Sequence, residues 1–147
     1  MVLARRRAEV GWQGTLEEGR GSFTVGSWMV GEVPVTWSSR TSPEEESTSP
    51  EELIAAAHSS CFSMAMSNEI AKAGGTPQSL EVSADVTLGQ KDGAPTITRI
   101  KLTVRGEVEG LDSEGFRKAA EAAKAGCPVS RALAAVDDIQ LDAELES

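Results

Sequence analysis

The sequence predicts an α+β fold in which helices pack on antiparallel sheet. Residues 5–37 have the composition of short strands, and residues 80–108 contain two alternating segments joined by a turn. A helical pattern with clear boundary signals follows each of these regions, over 49–73 and over 111–125. The chain has 147 residues, so we expect a single domain over residues 1–147 with one core.

The first region is rich in Gly, Val, Trp and Thr. Turn signals at 19–21 (Gly-Arg-Gly) and 31–32 (Gly-Glu) divide it, which predicts three short strands in a meander. Residues 38–49 are polar and acidic and lack an apolar face, so we expect a loop there, with the Glu run at 44–46 exposed to solvent.

The first helix has a strong start signal. Ser49 suits the N-cap, Pro50 suits the first helical position, and Glu52 completes the pattern of a capping box. The pattern continues to Ala73 and ends at the glycine pair 74–75. The middle of this helix is rich in Ala and Ser. Because such small side chains allow neighbouring backbone to approach closely, we expect the helix to be central and buried.

Two long strands are predicted next. Apolar and polar residues alternate over 80–91 and again over 96–108, with a Lys-Asp-Gly turn at 91–93. This pattern indicates an antiparallel hairpin with one face exposed to solvent.

Three elements complete the chain. We predict a helix over 111–125, a short third helix that begins at 127–130 and ends near residue 136, and a closing strand over 139–145.

The charge and the composition exclude several function classes. Lys and Arg number 14 against 23 Asp and Glu, a net charge of −9, whereas general nucleic-acid and anionic-membrane binding require cations. With 2 Cys and 1 His, the chain cannot form a zinc site of four cysteines or of paired cysteines and histidines. No apolar run of signal-peptide length follows the N-terminal arginines, and the weakly polar stretch 53–66 is too short to span a bilayer. We therefore expect a cytoplasmic protein, whose two thiols are either inert or redox-active.

The two cysteines have different predicted settings. Cys127 precedes Pro128 at a helix start, where unpaired N–H groups favour a thiolate. Cys61 lies inside a helix, where burial alone raises the pKa of a thiol, and it needs a nearby cation to react. His58 is its helical neighbour, either as a structural histidine or, less favoured, as half of a metal site. From the residues, a thiol redox centre and two inert core thiols both remain open.

Two motifs resemble those of a known family. Residues 49–65 (SPEELIAAAHSSCFSMA) are similar to the first cysteine motif of the OsmC/Ohr family of peroxidases, and residues 125–130 (AGCPVS) to its second. The order of elements extends the likeness over almost the whole chain. The histidine at position 58 is typical of the OsmC branch rather than of the organic hydroperoxide resistance branch.

The resemblance implies an OsmC-like fold, with antiparallel sheets packed on a long central helix and shorter C-terminal helices. It also implies an intertwined homodimer with active sites at the interface and no bound cofactor or metal. The activity would be a peroxidase that reduces organic hydroperoxides, hydrogen peroxide less well, in stress defence, with an external thiol as reductant.

The resemblance also assigns residues. Cys61 would be the peroxidatic cysteine, Cys127 the resolving cysteine and Glu51 the active-site acid. The arginine of the OsmC branch lies in the loop before the helix, here Arg40, whereas the other branch would use Arg20. A guanidinium can hold a thiolate against the cost of burial, and a carboxylate can orient it by a two-pronged hydrogen bond.

One geometric question stays open at this level. Glu51 and Cys61 lie ten residues apart, which is roughly 15 Å along a helix. Either the arginine spans that distance, or Arg40 and Glu51 act on Cys61 of a second chain. The rival function is a non-enzymatic binding protein of the same fold, in which both cysteines serve packing.

Overall fold

The structure is a computed structural model that describes residues 1–27, 31–42 and 47–147. The chain forms two compact units, residues 1–53 and residues 54–147. The elements run in the order β1 (Ala8–Gln13), β2 (Arg20–Val25), β3 (Val33–Val35), α1 (Trp37–Thr41), α2 (Pro50–Lys72), β4 (Thr76–Lys91), β5 (Ala94–Glu109), α3 (Ser113–Gly126), α4 (Pro128–Ala132) and β6 (Asp138–Leu145).

The N-terminal unit contains the predicted meander. Strands β1, β2 and β3 pair in that order, both times antiparallel, which confirms the prediction of three strands. The turn lies before the predicted signal at 19–21, because Arg20 and Gly21 already pair with Gln13 and Trp12 as the first two residues of β2.

The predicted loop over 38–49 is wrong at its start, where α1 forms. Thr36 caps this helix: its side chain accepts a hydrogen bond from the Ser39 N–H, and the Ser39 side chain accepts one from the Thr36 N–H. This capping box satisfies two backbone N–H groups at the start of the helix. The helix is too short to show a periodic pattern of apolar residues. The Glu run at 44–46 lies outside the described residues.

Helix α2 has the predicted bounds. At its start the Ser49 hydroxyl accepts a hydrogen bond of 3.1 Å from the Glu52 N–H. At its end the Gly75 N–H donates to the Ile70 carbonyl oxygen, the hydrogen bond of a Schellman ending.

Helix α2 buries one stripe within the chain. Residues at four-residue intervals are fully buried: His58, Phe62, Met66 and Ile70. The other side is open, and Met64 is 70% exposed. The expectation of a buried helix is therefore met on one side of it.

The second sheet contains the predicted hairpin. Strands β4 and β5 pair antiparallel, with Val82 opposite Val104, and join through Asp92 and Gly93. Both turn residues have positive φ, 53° and 79°, as the two central positions of a type I′ turn require.

The closing strand corrects the predicted topology. Strand β6 lies beside β5 and runs parallel to it, with Leu141 opposite Leu102, so the second sheet is not purely antiparallel. The two helices between β5 and β6 carry the chain back to the same end of the sheet, as a parallel connection needs. Helix α3 begins at Ser113 after an Asp112 N-cap, two residues later than predicted, and α4 ends at Ala132 rather than near 136.

One apolar core joins α2, the sheet and α3 in the C-terminal unit. Its fully buried members are Phe62, Met66, Ile70, Leu102, Val104, Phe116, Ala120 and Cys127. Gly106 of β5 admits the ring of Phe116, because a Cβ at that position would lie 2.6 Å from the ring. Cys127 is thus anchored in the core of its unit.

Among the helices of the described ranges, none combines the length and the apolar character that crossing a bilayer requires.

Candidate active site

The structure brings the two cysteines together. Cys61 lies in α2 and Cys127 caps α4, and their sulfur atoms are 2.9 Å apart. Both are thiols; Cys127 is fully buried and Cys61 is half-buried. A disulfide requires about 2.05 Å between sulfurs, so a small side-chain movement would suffice to join them.

Burial dominates at Cys61 and raises the pKa of its thiol. The hydrogen bond shared with Cys127 acts in the same direction, and the backbone N–H of Val129 acts against both. Cys61 therefore holds its proton more tightly than an ordinary cysteine does.

The opposite holds at Cys127, whose pKa is lowered. Burial works against the thiolate there, but hydrogen-bond donors outweigh it: Cys61, the N–H groups of Ser130 and Val129, and the Ser130 hydroxyl. A thiolate that accepts several hydrogen bonds is stabilised even in the core. The two sulfurs share a hydrogen bond, and Cys127 is the better-supported anion of the pair.

His58 lies near this pair and contacts Ser130. Its Nε2 is 2.7 Å from the Ser130 hydroxyl oxygen, in a fully buried contact. Burial lowers the pKa of His58, so the ring is neutral near neutral pH. Within residues 1–27, 31–42 and 47–147, no group of three or more His, Cys, Asp and Glu side chains is placed to hold a metal ion.

The N-terminal unit holds an ion pair between Arg40 and Glu51. Arg40 Nη2 lies 2.6 Å from one carboxylate oxygen of Glu51, and Arg40 Nε lies 3.2 Å from both oxygens. Glu51 is 6% exposed, and the Arg40 side chain is 33% exposed. The buried carboxylate is thus neutralised by a guanidinium that still has an open side.

Trp37 adds a second support for Arg40. The guanidinium carbon is 5.8 Å from the centroid of the Trp37 ring, within the range of a cation–π contact. Because both residues belong to α1, the short helix that replaces the predicted loop also orients the arginine.

Arg20, the other arginine considered, is exposed on β2. It lines an open cavity of about 790 Å³ in the N-terminal unit, together with Trp12, Glu17 and Glu18. Of the two arginines, Arg40 is the one bound to the Glu51 carboxylate.

Two residues beside the site, Ser130 and Trp37, are not among those that the motifs predict. Ser130 stands three residues after Cys127, and Trp37 three before Arg40, so helical spacing could have indicated both. The contact between Ser130 and His58, 72 positions apart, has no such local signal.

Comparisons with known proteins place the chain in a family. The family model described as OsmC-like protein matches residues 43–142. Peroxiredoxin OsmC of Escherichia coli (strain K12) is 39% identical over 146 residues, 99% of this chain and 100% of the relative.

Solved structures share the fold. The organic hydroperoxide resistance protein OhrB of Bacillus subtilis matches with a TM-score of 0.73 and 24% identity, over 95% of this chain and 98% of that one. An organic hydroperoxide resistance protein OsmC from Legionella pneumophila matches with a TM-score of 0.73 and 17% identity, over all of both chains. From the family model and the full-length relative, this chain belongs to the OsmC-like protein family, in its OsmC branch.

Proposed function

We propose that this chain is a thiol-dependent peroxidase that reduces organic hydroperoxides, and hydrogen peroxide less well, by a two-cysteine cycle. The observation that carries the proposal is the 2.9 Å contact between the sulfurs of Cys61 and Cys127. The names of the relatives support it, since they are a peroxiredoxin and organic hydroperoxide resistance proteins. A role in oxidative or osmotic stress defence, in the cytoplasm, follows from the same proposal.

In the first step the Cys61 thiolate attacks one oxygen of the peroxide bond. The O–O bond breaks, an alkoxide leaves and is protonated to the alcohol, and Cys61 becomes a sulfenic acid. In the second step the Cys127 thiolate attacks the Cys61 sulfur, which forms the disulfide and releases hydroxide. A first thiol of the external reductant then attacks the disulfide and forms a mixed disulfide, and a second thiol displaces the protein sulfur, which restores both cysteines and leaves the reductant as its disulfide.

The first step needs a cation at Cys61, because burial raises the pKa of that thiol. Arg40 fills this role in the proposal, with Glu51 to orient it through the two-pronged contact. The guanidinium would stabilise the thiolate and polarise the peroxide oxygen that leaves.

We further propose that Arg40 and Glu51 serve Cys61 of a second chain in a homodimer. Glu51 and Cys61 belong to one helix and lie ten residues apart, roughly 15 Å along its axis. Apolar surface on each unit supports association: Val10 and Trp12 of β1 are 65% and 42% exposed, and Met64 of α2 is 70% exposed.

Titration of free thiols after one equivalent of tert-butyl hydroperoxide tests the peroxidase. We expect both thiols to disappear in the native chain, with the matched loss of peroxide. Unchanged thiols would contradict the proposal and favour a binding protein with structural cysteines. Steady-state turnover with dihydrolipoamide, glutathione or thioredoxin as donor then identifies the reductant.

Complementation tests the shared site. A Cys61→Ser chain and an Arg40→Met chain, each weakly active or inactive alone, are refolded together into mixed dimers. If Arg40 acts across the interface, each mixed dimer gains one complete site, and activity returns. If Arg40 acts within its own chain, the mixture stays as inactive as its parts, which would contradict the proposed geometry.

A further inference from the structure

We propose that His58 and Ser130 form a hydrogen-bond chain that ends on the Cys127 sulfur and sets it up to attack oxidised Cys61. This inference rests on the proposed peroxidase cycle and assigns two further residues to its second step. His58 would be a positioning residue that acts on the Cys127 sulfur through the Ser130 hydroxyl.

The contacts that carry the chain are all buried. Ser130 is 7% exposed and His58 fully buried, with 2.7 Å between the Ser130 hydroxyl oxygen and His58 Nε2. Ser130 is the third residue of α4, whose N-cap is Cys127, and the Cys127 sulfur contacts Cys61. In the proposed chain the Ser130 hydroxyl connects the ring to the thiol pair, which agrees with the lowering of the Cys127 pKa by Ser130.

The unused ring nitrogen indicates where the imidazole carries its proton. His58 Nδ1 is buried and has no hydrogen-bond partner among the described residues. Since orphaned buried N–H groups are rarer than orphaned acceptors, we assign the proton of the neutral ring to Nε2. Nε2–H then donates to the Ser130 oxygen, and the Ser130 proton is free to be donated to Cys127.

This orientation favours both directions of disulfide chemistry. In formation, the Cys127 thiolate attacks the sulfenic sulfur of Cys61; the S–S bond forms, the S–O bond breaks, and the leaving hydroxide takes a proton from solvent. In reduction, an external thiolate attacks Cys61 and Cys127 leaves as the thiolate. A fixed hydroxyl donor stabilises Cys127 as nucleophile in the first case and as leaving group in the second.

The first test does not depend on peroxide chemistry. In a Cys61→Ser background a single thiol remains, and with no Tyr in the chain its thiolate absorbance can be titrated free of phenolate. Adding Ser130→Ala should raise the Cys127 pKa by about one unit, the effect of losing a hydrogen bond to a charged group. His58→Asn, whose amide ends short of the Nε2 position, should raise it by a smaller amount.

His58→Gln is the matched rescue, because its longer amide can place an N–H near the Nε2 position. It should titrate close to the parent. Ser59→Ala is the control, since this serine lies next to His58 but donates to the carbonyl oxygens of Ala55 and Ala56 in its own helix. Thermal melts of all variants verify that they are folded.

The second test follows disulfide formation in the two-cysteine protein after one equivalent of tert-butyl hydroperoxide. Ser130→Ala should slow disulfide formation about threefold, because a tenfold loss of thiolate is partly offset by the higher nucleophilicity of a more basic sulfur, while Cys61 oxidation keeps its rate. If the folded variants Ser130→Ala and His58→Asn keep the Cys127 pKa and the rate of disulfide formation of the parent protein, the inference is wrong. Failure of the parent to consume peroxide would instead refute the proposed function, and the titration would still decide the hydrogen-bond chain.

Discussion

The two cysteines touch, yet their surroundings give them opposite acidities. Cys61 lies within the 23-residue α2, where the N–H groups around it are used by the helix itself. Cys127 stands at the start of α4, where the first N–H groups have no partner within the helix. Burial therefore raises the pKa of Cys61, whereas the hydrogen bond with Cys61 and donors from Ser130 and Val129 lower the pKa of Cys127 despite burial. Hydrogen-bond donors, more than burial, distinguish the two thiols.

The comparison has a functional consequence. Apart from Cys61, the donors that support the Cys127 thiolate stand within three residues of it along the chain, whereas in the proposed mechanism Cys61 depends on the charge of Arg40. The proposed roles fit this difference, because the resolving cysteine must act inside the core and the peroxidatic cysteine must meet a substrate and an arginine.

Replacing each cysteine in turn by serine should produce the largest difference in peroxide turnover between two variants. Cys61→Ser should abolish peroxide turnover, because no thiolate remains to attack the O–O bond. Cys127→Ser should permit one round of Cys61 oxidation and form no intramolecular disulfide. Stopped-flow peroxide consumption and mass spectrometry of the products measure both; full activity in Cys61→Ser would show that the mechanism is wrong.

Removing the arginine should reduce the rate of the first step by about one to two orders of magnitude near neutral pH, the effect of losing an opposite charge beside an ionising group. With Arg40→Met, the raised pKa of Cys61 leaves little thiolate at neutral pH, so the rate should recover as the pH increases. Pre-steady-state Cys61 oxidation across a pH series gives the measurement.

Arg20→Met is the matched control for that series. Arg20 lies on β2, and Arg40 is the arginine bound to Glu51. The Arg20 variant should therefore keep the native pH profile. A larger loss in Arg20→Met than in Arg40→Met would reassign the catalytic arginine.

The same two serine variants should also differ in stability. Cys127→Ser places a hydroxyl in a fully buried site of the core, at a cost of about 1–3 kcal/mol. Cys61 is only half-buried, so Cys61→Ser should cost less. Urea unfolding of the two variants compares their free energies, and equal losses would indicate that both thiols occupy equivalent core positions.

The smallest expected effect is the contribution of His58 to the loss of folding stability at acid pH. Its pKa is lowered in the folded chain, so below the ordinary value of 6.5 the unfolded chain binds a proton that the folded chain does not. Stability should therefore fall as the pH falls below 6.5, by at most about 1.4 kcal/mol per pH unit for this one group. Calorimetry of the native chain and of His58→Gln across this pH range should show that the stability of the variant depends less on pH.

Much of the fold could be predicted from local signals. The N-cap at Ser49, the glycine pair at 74–75 and the Asp-Gly turn at 92–93 act through hydrogen bonds and backbone angles close in sequence, and α2 and the hairpin agree with them. Helix α1 was missed because a five-residue helix has no apolar period to detect. The direction of β6 was also missed, since alternation along a strand is the same whether its neighbour is parallel or antiparallel.

The sequence by itself determined the order of the strands and of every helix except α1 and, through its two cysteine motifs, the family. Tertiary structure alone decided which side chains meet: Cys61 with Cys127 across 66 positions, His58 with Ser130 across 72, and Arg40 with Glu51 across 11. The physical reason is that capping and periodicity depend on neighbours along the chain, whereas these contacts depend on how the helices pack once apolar surface is buried. The directions of the two thiol pKa shifts follow from positions that the sequence already indicates, but the hydrogen bond between the two sulfurs exists only because packing brings them together.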